Sequence, residues 1–513
     1  MTADTGHLIA DNRMATPQSI SGMLDAEDLH TNLRRKSVRG GFWTLSSQGA
    51  QFIVQSLSTV VLARLLTPAD FGIVAMVTAI TVLGQGFADL GLSEATIQSA
   101  EIDHEQVSAL FWVNVAIGVG LTAVTMALAP LLAWFYQQPR LINITLWLSL
   151  TFLIGGLRVQ HTALLKRQMR FLSLAIRDIT CATLGVFVAI AVALRGGGYW
   201  AIVALPLVWN FSQMALSWVL VRWIPGPPRR NARVRSLIAF GGNVAAAYVI
   251  GNITANADNV LIGWYWGAGP LGLYSRAYNL LTLPIRQLNG PVGSVAVPAF
   301  SRIQDEPERF ARYCLRVMKL TMWVGAPIFG FLFVAARPVI ILVLGKQWWE
   351  AAPVFRILVI SALAQLVLEP IMWILISRGQ SARLLKLLLV VAPIMVASFA
   401  LGLRFGVKGV AWAGSLTLMC AIPWMLRYAF QGTELTLWRL GKAVFLPIAL
   451  CLTGTCVAEL SLRMIAPRQL TIQLLVCALG FVLTYAISIA IRSIRQDLSS
   501  FRELFSELRF SLR

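Results

Sequence analysis

Apolar runs of roughly 18–30 residues alternate with short segments of charged, amide, glycine or proline residues, and this alternation continues from residue 41 to residue 491. A helix that crosses a hydrocarbon core about 30 Å thick needs about 20 apolar residues at 1.5 Å each, and its own hydrogen bonds satisfy the backbone where lipid cannot. The pattern predicts fourteen such helices, at 41–63, 71–92, 107–133, 141–163, 172–194, 200–222, 237–266, 274–300, 318–344, 355–377, 384–402, 409–430, 443–460 and 470–491. No polar block between them is long enough for a soluble domain. The expected fold class is an all-α polytopic membrane protein.

Basic residues orient the spans. Of 43 Lys and Arg, 29 fall in the termini and in the loops that a cytoplasmic N-terminus would place inside, 8 fall in the opposite loops, and 6 lie within spans. Lys and Arg accumulate on the cytoplasmic side, so both termini are expected there. Residues 1–33 are polar and lack the apolar core of a signal peptide, which makes a disordered cytoplasmic extension the expectation. After Arg495, Leu498, Phe501, Phe505, Leu508 and Leu512 recur at helical spacing, as an amphipathic helix on the inner surface would require.

Composition agrees with this picture. The chain is 57% hydrophobic and 13% charged, against about a quarter charged in soluble domains. The net charge of +20 could suggest nucleic acid. Its confinement to short loops between apolar runs is instead the signature of membrane orientation, so no nucleic-acid partner is expected. Cys181, Cys314, Cys420, Cys451, Cys456 and Cys477 form no close pair, and His7, His30, His104 and His161 form no HxxxH or HExxH arrangement. Neither disulfides nor a metal are expected.

An internal repeat emerges at an offset near 200. Gly40-Gly41-Phe42 opens the first span as Phe240-Gly241-Gly242 opens the seventh. Thr67-Pro68-Ala69-Asp70-Phe71-Gly72-Ile73 resembles Gly267-Ala268-Gly269-Pro270-Leu271-Gly272-Leu273, Ile97-Gln98 answers Ile303-Gln304, and Pro130 answers Pro338. A shift of six spans preserves orientation, so the halves are expected to be parallel repeats around a cavity, with two further helices at the end. The same offset superposes two polar stripes. Gln48, Gln51, Gln55 and Ser58 recur every three or four residues on the first span, and Asn252, Asn256 and Asn259 do so on the seventh. Such residues serve either as glue between helices or, facing a wet cavity, as partners for sugar hydroxyls. Trp264, Tyr265, Trp266, Tyr274 and Tyr278 fit either an interfacial belt or sugar stacking.

An ionised side chain in mid-bilayer costs roughly 2.5–3.5 kcal/mol on insertion scales. Arg64, Arg337 and Arg356 lie near outer span ends, and Arg158, Asp89, Arg177 and Asp178 near inner ends, where snorkelling explains them. Arg286 is different, because twelve residues past the start of the eighth span place it about 18 Å deep. Its span also holds Pro284, Gly290, Pro291, Gly293 and Pro298, which break backbone hydrogen bonds beside a cavity. A substrate contact and a structural ion pair both fit it. Asp258 and Arg276 flank the turn between the seventh and eighth spans, so an ion pair tying that hairpin stands beside a substrate role. Glu369, before Pro370, is a further carboxylate and a candidate for proton coupling.

Arg39-Gly40-Gly41-Phe42-Trp43, Ala63-Arg64-Leu65-Leu66-Thr67-Pro68-Ala69-Asp70-Phe71-Gly72, Ala95-Thr96-Ile97-Gln98 and Leu110-Phe111-Trp112-Val113-Asn114 carry a resemblance. They are similar to the Wzx-type polysaccharide transporters of the multidrug/oligosaccharidyl-lipid/polysaccharide exporter superfamily, and the similarity extends over nearly all of the chain after residue 36. The resemblance implies an N-lobe at 37–222, a basic cytoplasmic linker at 223–236, a C-lobe at 237–430 and two appended helices within 431–495, framed by tails at 1–36 and 496–513. It also implies flipping of undecaprenyl-diphosphate-linked oligosaccharide repeat units across the bacterial inner membrane by alternating access, for exopolysaccharide or lipopolysaccharide biosynthesis, with the polyprenyl diphosphate glycan, membrane lipids, a polysaccharide polymerase and export machinery as partners. Arg286, Arg276, Asp258, Gln51, Gln55, Asn252, Asn256 and Asn259 are the candidate substrate contacts, and Glu369 the candidate coupling group. Two rivals are a cation-coupled multidrug exporter of the same superfamily and a membrane glycan polymerase or ligase. The latter would need a sizeable external loop, and every predicted outer loop is short. Without a Walker motif, neither ATP hydrolysis nor a cofactor is expected.

Overall fold

The computed structural model describes residues 33–85, Ser93, Thr96, Ile97, 102–227 and 251–488. Fourteen long helices occupy them: α1 Leu33–Leu65, α2 Pro68–Gln85, α3 His104–Phe135, α4 Arg140–Arg167, α5 Phe171–Leu194, α6 Trp200–Val221, α7 at 251–266, α8 Ala268–Arg302, α9 Pro307–Val334, α10 Ala351–Ser377, α11 Ser381–Gly402, α12 Gly406–Phe430, α13 Leu437–Ile465 and α14 Leu470–Ser488. They match the fourteen expected spans one for one. Ten stretches of the described residues are long and apolar enough to cross a membrane, one of them, Ser381–Phe430, holding both α11 and α12. The helices α1 and α8 miss that measure, in keeping with the amides, serines and arginines they carry.

Local chemistry sets the helix boundaries. At the start of α2, Pro68 takes the first helical position, where no amide hydrogen is needed. Asp70 accepts hydrogen bonds from the Thr67 backbone N–H (3.0 Å) and hydroxyl (2.7 Å), and the Asp70 N–H returns one to the Thr67 hydroxyl at 3.3 Å. This reciprocal cap satisfies donors that the first turn leaves orphaned. The first helix starts eight residues before the expected 41, taking Arg34, Arg35, Lys36 and Arg39 into its first turns. Its 33 residues exceed what a bilayer core requires.

The described residues form two compact units, with boundaries at Leu65/Leu66, Met76/Val77 and Val249/Ile250, the segment Leu66–Met76 belonging to the second. In the first, α3 packs on α4, α4 on α6, α5 on α6 and α1 on α5. In the second, α9 packs on α10, α10 on α12 and α11 on α12, so three of those pairings recur six helices later. Recurrence of helix pairings is the structural counterpart of the repeat in the sequence. The appended α13 lies against α9 and α14 against α13. Inside the first unit, Val107, Leu110, Phe111, Leu164, Leu165, Leu174, Val221 and Trp223 form a buried cluster; Val334, Ala335, Ala458, Cys477 and Phe481 form one in the second. Phe187, Val219, Phe445 and Leu475 are exposed and suit contact with lipid.

The expected span 318–344 is divided. Its helix α9 begins at Pro307 and ends at Val334, and a short helix, Ala336–Val343, follows. Pro338 therefore lies in the short helix, whereas Pro130 is inside α3; the proline of α9 that sits within two turns of its end, as Pro130 does in α3, is Pro327. Hydropathy sees one apolar run across this break because the turn residue Ala335 and the Ala336 that follows it are themselves apolar and buried. Both tails before 33 and after 488, the linker beyond 227, Asp89, Gln98 and the motif Phe240-Gly241-Gly242 lie outside the described residues.

Candidate functional site

The proline-bearing helix α8 carries both candidate arginines. Pro284, Pro291 and Pro298 interrupt its hydrogen-bond ladder, and Arg286 stands exposed between the first two of them. Arg286 makes no hydrogen bond or ion pair with any described residue. Ten residues earlier, about 15 Å along the axis, Arg276 is half-buried and lies 3.9 Å from the centroid of the Phe71 ring. Its Nε is buried and unbonded. The planar guanidinium thus rests on an aromatic face, an attraction worth about 2 kcal/mol when desolvated.

Asp258 is only 4% exposed, and each of its carboxylate oxygens accepts a hydrogen bond. The Tyr274 hydroxyl donates to Oδ2 at 2.7 Å, and the Asn259 backbone N–H donates to Oδ1 at 2.7 Å. The expected Asp258–Arg276 ion pair is therefore not formed: Tyr274 ties the α7–α8 hairpin instead, and Arg276 turns to Phe71. Tyr274, 2% exposed and stacked at 9° on Tyr278, is not open to a sugar. Trp264, Tyr265 and Trp266 are exposed, and the Trp266 indole donates to the Leu403 carbonyl at 3.0 Å.

The polar stripes differ residue by residue. On α1, the Gln51 amide donates to the Ser47 hydroxyl at 3.0 Å, Gln55 is exposed, and Ser58 is buried. On α7, Asn256 donates to the Asn252 carbonyl at 3.0 Å, while the Asn259 Oδ1 is buried and unbonded. The neighbours Ile53 and Ile253 are exposed on other faces of these helices.

Asn289 joins the site without having been anticipated. It is 8% exposed, and neither atom of its amide is bonded. It lies three residues past Arg286 and one turn before Gly293, against which the Trp373 indole of α10 packs. One turn before Trp373 stands Glu369, half-buried and without a hydrogen bond to a described residue. Arg286, Asn289 and Gly293 are spaced at three and four residues, a polar stripe on α8 masked in the sequence by the surrounding prolines.

Two other charged groups are structural. Arg177 donates through Nε and Nη2 to Asp178 Oδ1 at 2.9 and 2.7 Å, and through Nη1 to the hydroxyls of Thr162 and Ser217. Arg356 pairs with Glu459 at 3.3 Å and lies over Phe333. Two histidines pin the chain where it leaves α6: the His161 ring nitrogen Nε2 is 3.1 Å from the Trp223 carbonyl, and the Trp223 indole donates to His104 Nδ1 at 3.0 Å.

The family described as polysaccharide biosynthesis protein matches residues 61–353. The teichuronic acid biosynthesis protein TuaB of Bacillus subtilis (strain 168) is 28% identical over 353 residues, covering 68% of this chain and 73% of that one. The lipopolysaccharide biosynthesis protein WzxC of Escherichia coli (strain K12) is 25% identical over 358 residues, covering 68% and 71%. Among solved structures, lipid II flippase MurJ in an inward closed conformation superposes with a TM-score of 0.68 at 14% identity, over 88% of this chain and 99% of that one. An inward-facing multidrug resistance MATE family transporter of the MOP superfamily gives 0.61 at 12%, over 75% and 96%. At these identities the structural likeness speaks for the fold alone. With over half of its length matched by the family and a fold shared with polytopic membrane transporters, the chain belongs to the polysaccharide biosynthesis protein family.

Proposed function

We propose that the protein flips polyprenyl-diphosphate-linked oligosaccharide repeat units from the inner to the outer leaflet of a bacterial inner membrane, with both termini cytoplasmic, by alternating access. The observation that carries this reading is Arg286: an exposed guanidinium, unpaired among the described residues, on a proline-broken helix of a polytopic member of the polysaccharide biosynthesis protein family. A cargo of this kind hides only its sugars and its diphosphate, since the polyprenyl tail stays in lipid. Arg286 neutralises the diphosphate through its planar fork of donors. The amides at Gln51, Gln55, Asn252, Asn256 and Asn259 meet sugar hydroxyls, which both donate and accept. Asp258, engaged by Tyr274, fastens the hairpin and holds Arg276 at its height. Glu369, level with Asn289, is the group through which a proton couples. Negative charge moving outward gains about 2.3 kcal/mol per charge per 100 mV in an inside-negative membrane, so the field favours export.

Glycan export and membrane abundance, measured together for Arg286→Ala and Arg286→Lys, test the reading. Alanine should abolish export at near-normal abundance, and lysine should restore it only in part, because an ammonium offers no bidentate fork. Full export by a well-expressed Arg286→Ala protein would end the proposal.

A further inference from the structure

A groove of about 460 Å³ opens between α9, α10, α12 and α13, wholly within the second unit. Met322 and Phe333 mark its two ends on α9, Val367 and Ile360 line it on α10, Met419 on α12 and Leu452 on α13. Its polar lining groups are already engaged: Cys451 Sγ donates to the Ala326 carbonyl at 3.1 Å, and the Thr455 hydroxyl to the Cys451 carbonyl at 2.7 Å. The other lining side chains are apolar, so the groove suits a hydrocarbon chain and offers a sugar no partners. From Met322 to Phe333 α9 rises about 16 Å, close to half of a hydrocarbon core about 30 Å thick. The groove therefore has the length of an acyl chain of one leaflet.

One end of this groove is charged. Arg356 lies one turn before Ile360, and Glu459 one turn after Thr455. The Arg356 guanidinium stands 4.4 Å from the centroid of Phe333, itself a groove residue. Arg356 and Arg463 both reach Glu459, at 3.3 and 3.5 Å. These are long contacts through one nitrogen each, and two guanidiniums sharing one carboxylate leave a net positive charge. The Arg356 Nε is buried and unbonded, and the Arg463 side chain is 76% exposed. Each guanidinium thus keeps donors in a fork that matches a pair of phosphate oxygens. We infer that the groove holds an anionic glycerophospholipid of the bilayer, with one acyl chain between α9, α10, α12 and α13 and its phosphodiester on Arg356 and Arg463. The basic-residue asymmetry assigns this end to the outside, so the lipid belongs to the outer leaflet. No groove residue lies on α7 or α8, and the inference is independent of what the protein carries.

The test takes the full-length protein, delipidated in detergent, and measures by native mass spectrometry its binding of dioleoyl phosphatidylglycerol, dioleoyl phosphatidylcholine and farnesyl diphosphate. The parent should retain one phosphatidylglycerol in preference to phosphatidylcholine. Arg463→Gln should lower the affinity for phosphatidylglycerol about tenfold, the effect of losing a hydrogen bond between charged groups, and adding Arg356→Gln should lower it further. An exposed pair one turn apart on a helix contributes little to stability, so Arg463→Gln reads the headgroup contact even where the double variant fails to fold. Leu452 is 60% exposed on the groove wall, and Leu452→Trp should obstruct the chain and weaken both phospholipids alike. Arg195→Gln, in the first unit, should change neither. Unaltered phosphatidylglycerol affinity in Arg463→Gln would overturn the headgroup contact, and unaltered affinity in Leu452→Trp would overturn the chain site. Displacement of phosphatidylglycerol by an equal concentration of farnesyl diphosphate would make the groove a prenyl diphosphate site and overturn the phospholipid.

Discussion

Arg177 shows how a charge is kept inside this protein. Its side chain is 5% exposed, and all three of its nitrogens donate, to Asp178, Thr162 and Ser217. Removing one member of a buried pair leaves the other uncompensated, at a cost of about 3–5 kcal/mol. Arg177→Ala should therefore lower the thermal midpoint and the yield of the detergent-solubilised protein, and Arg177→Met with Asp178→Leu should recover much of both. An Arg177→Ala protein as stable as the parent would remove this structural role. Arg286 presents the opposite case, exposed and with no hydrogen bond or ion pair to a described residue. Depth along a helix, which hydropathy supplies, separated Arg286 from the end-of-span arginines. It could not reveal partners, because those depend on rotation about the helix axis and on neighbours distant in sequence. That is why Asp258 and Arg276, close in depth, were expected to pair and instead bind Tyr274 and Phe71. Asn289 escaped notice for the same reason, an amide among prolines whose burial only packing discloses.

At the scale of the helix, the amide stripes and the close approach of α2 to α8, Gly72 beside Ala268 and Gly272 beside Pro68, were legible to different degrees. Period-3.6 spacing made the stripes on α1 and α7 legible in the sequence. Part of their hydrogen bonding is spent within the same helix, Gln51 on Ser47 and Asn256 on Asn252. Such internal bonds lower the cost of an amide in lipid without preventing exchange for a sugar hydroxyl. With cysteines placed one at a time in a cysteine-free protein, Gln51, Gln55, Asn252 and Asn256 should react with a water-soluble maleimide, and Ile53 and Ile253, on other faces of the two helices, should not. Equal protection at all six positions would make the stripes helix glue. The reciprocal Gly72 and Gly272 were visible only as a matched motif, since sequence similarity between two turns does not say that the turns touch. The division of the ninth span at Ala335 was hidden because an apolar turn has no hydropathy signal.

Across the whole molecule, the count of helices and their six-helix repeat were readable because lipid enforces both: each span must close its own backbone hydrogen bonds, and a duplicated bundle repeats its packing. The pairings α3–α4, α4–α6 and α5–α6 recur as α9–α10, α10–α12 and α11–α12. Cargo was not readable in the same way, because it depends on a few side chains within a frame shared by transporters of different substrates. Transport of the lipid-linked glycan itself decides the matter. Purified protein reconstituted in vesicles with sugar-labelled polyprenyl-diphosphate oligosaccharide from the producing cells would be exposed to a membrane-impermeant oxidant of sugars. The inner-leaflet pool should become accessible with the intact protein and stay protected with Arg286→Ala. Equal protection of that pool in vesicles with and without the intact protein would contradict the flippase reading.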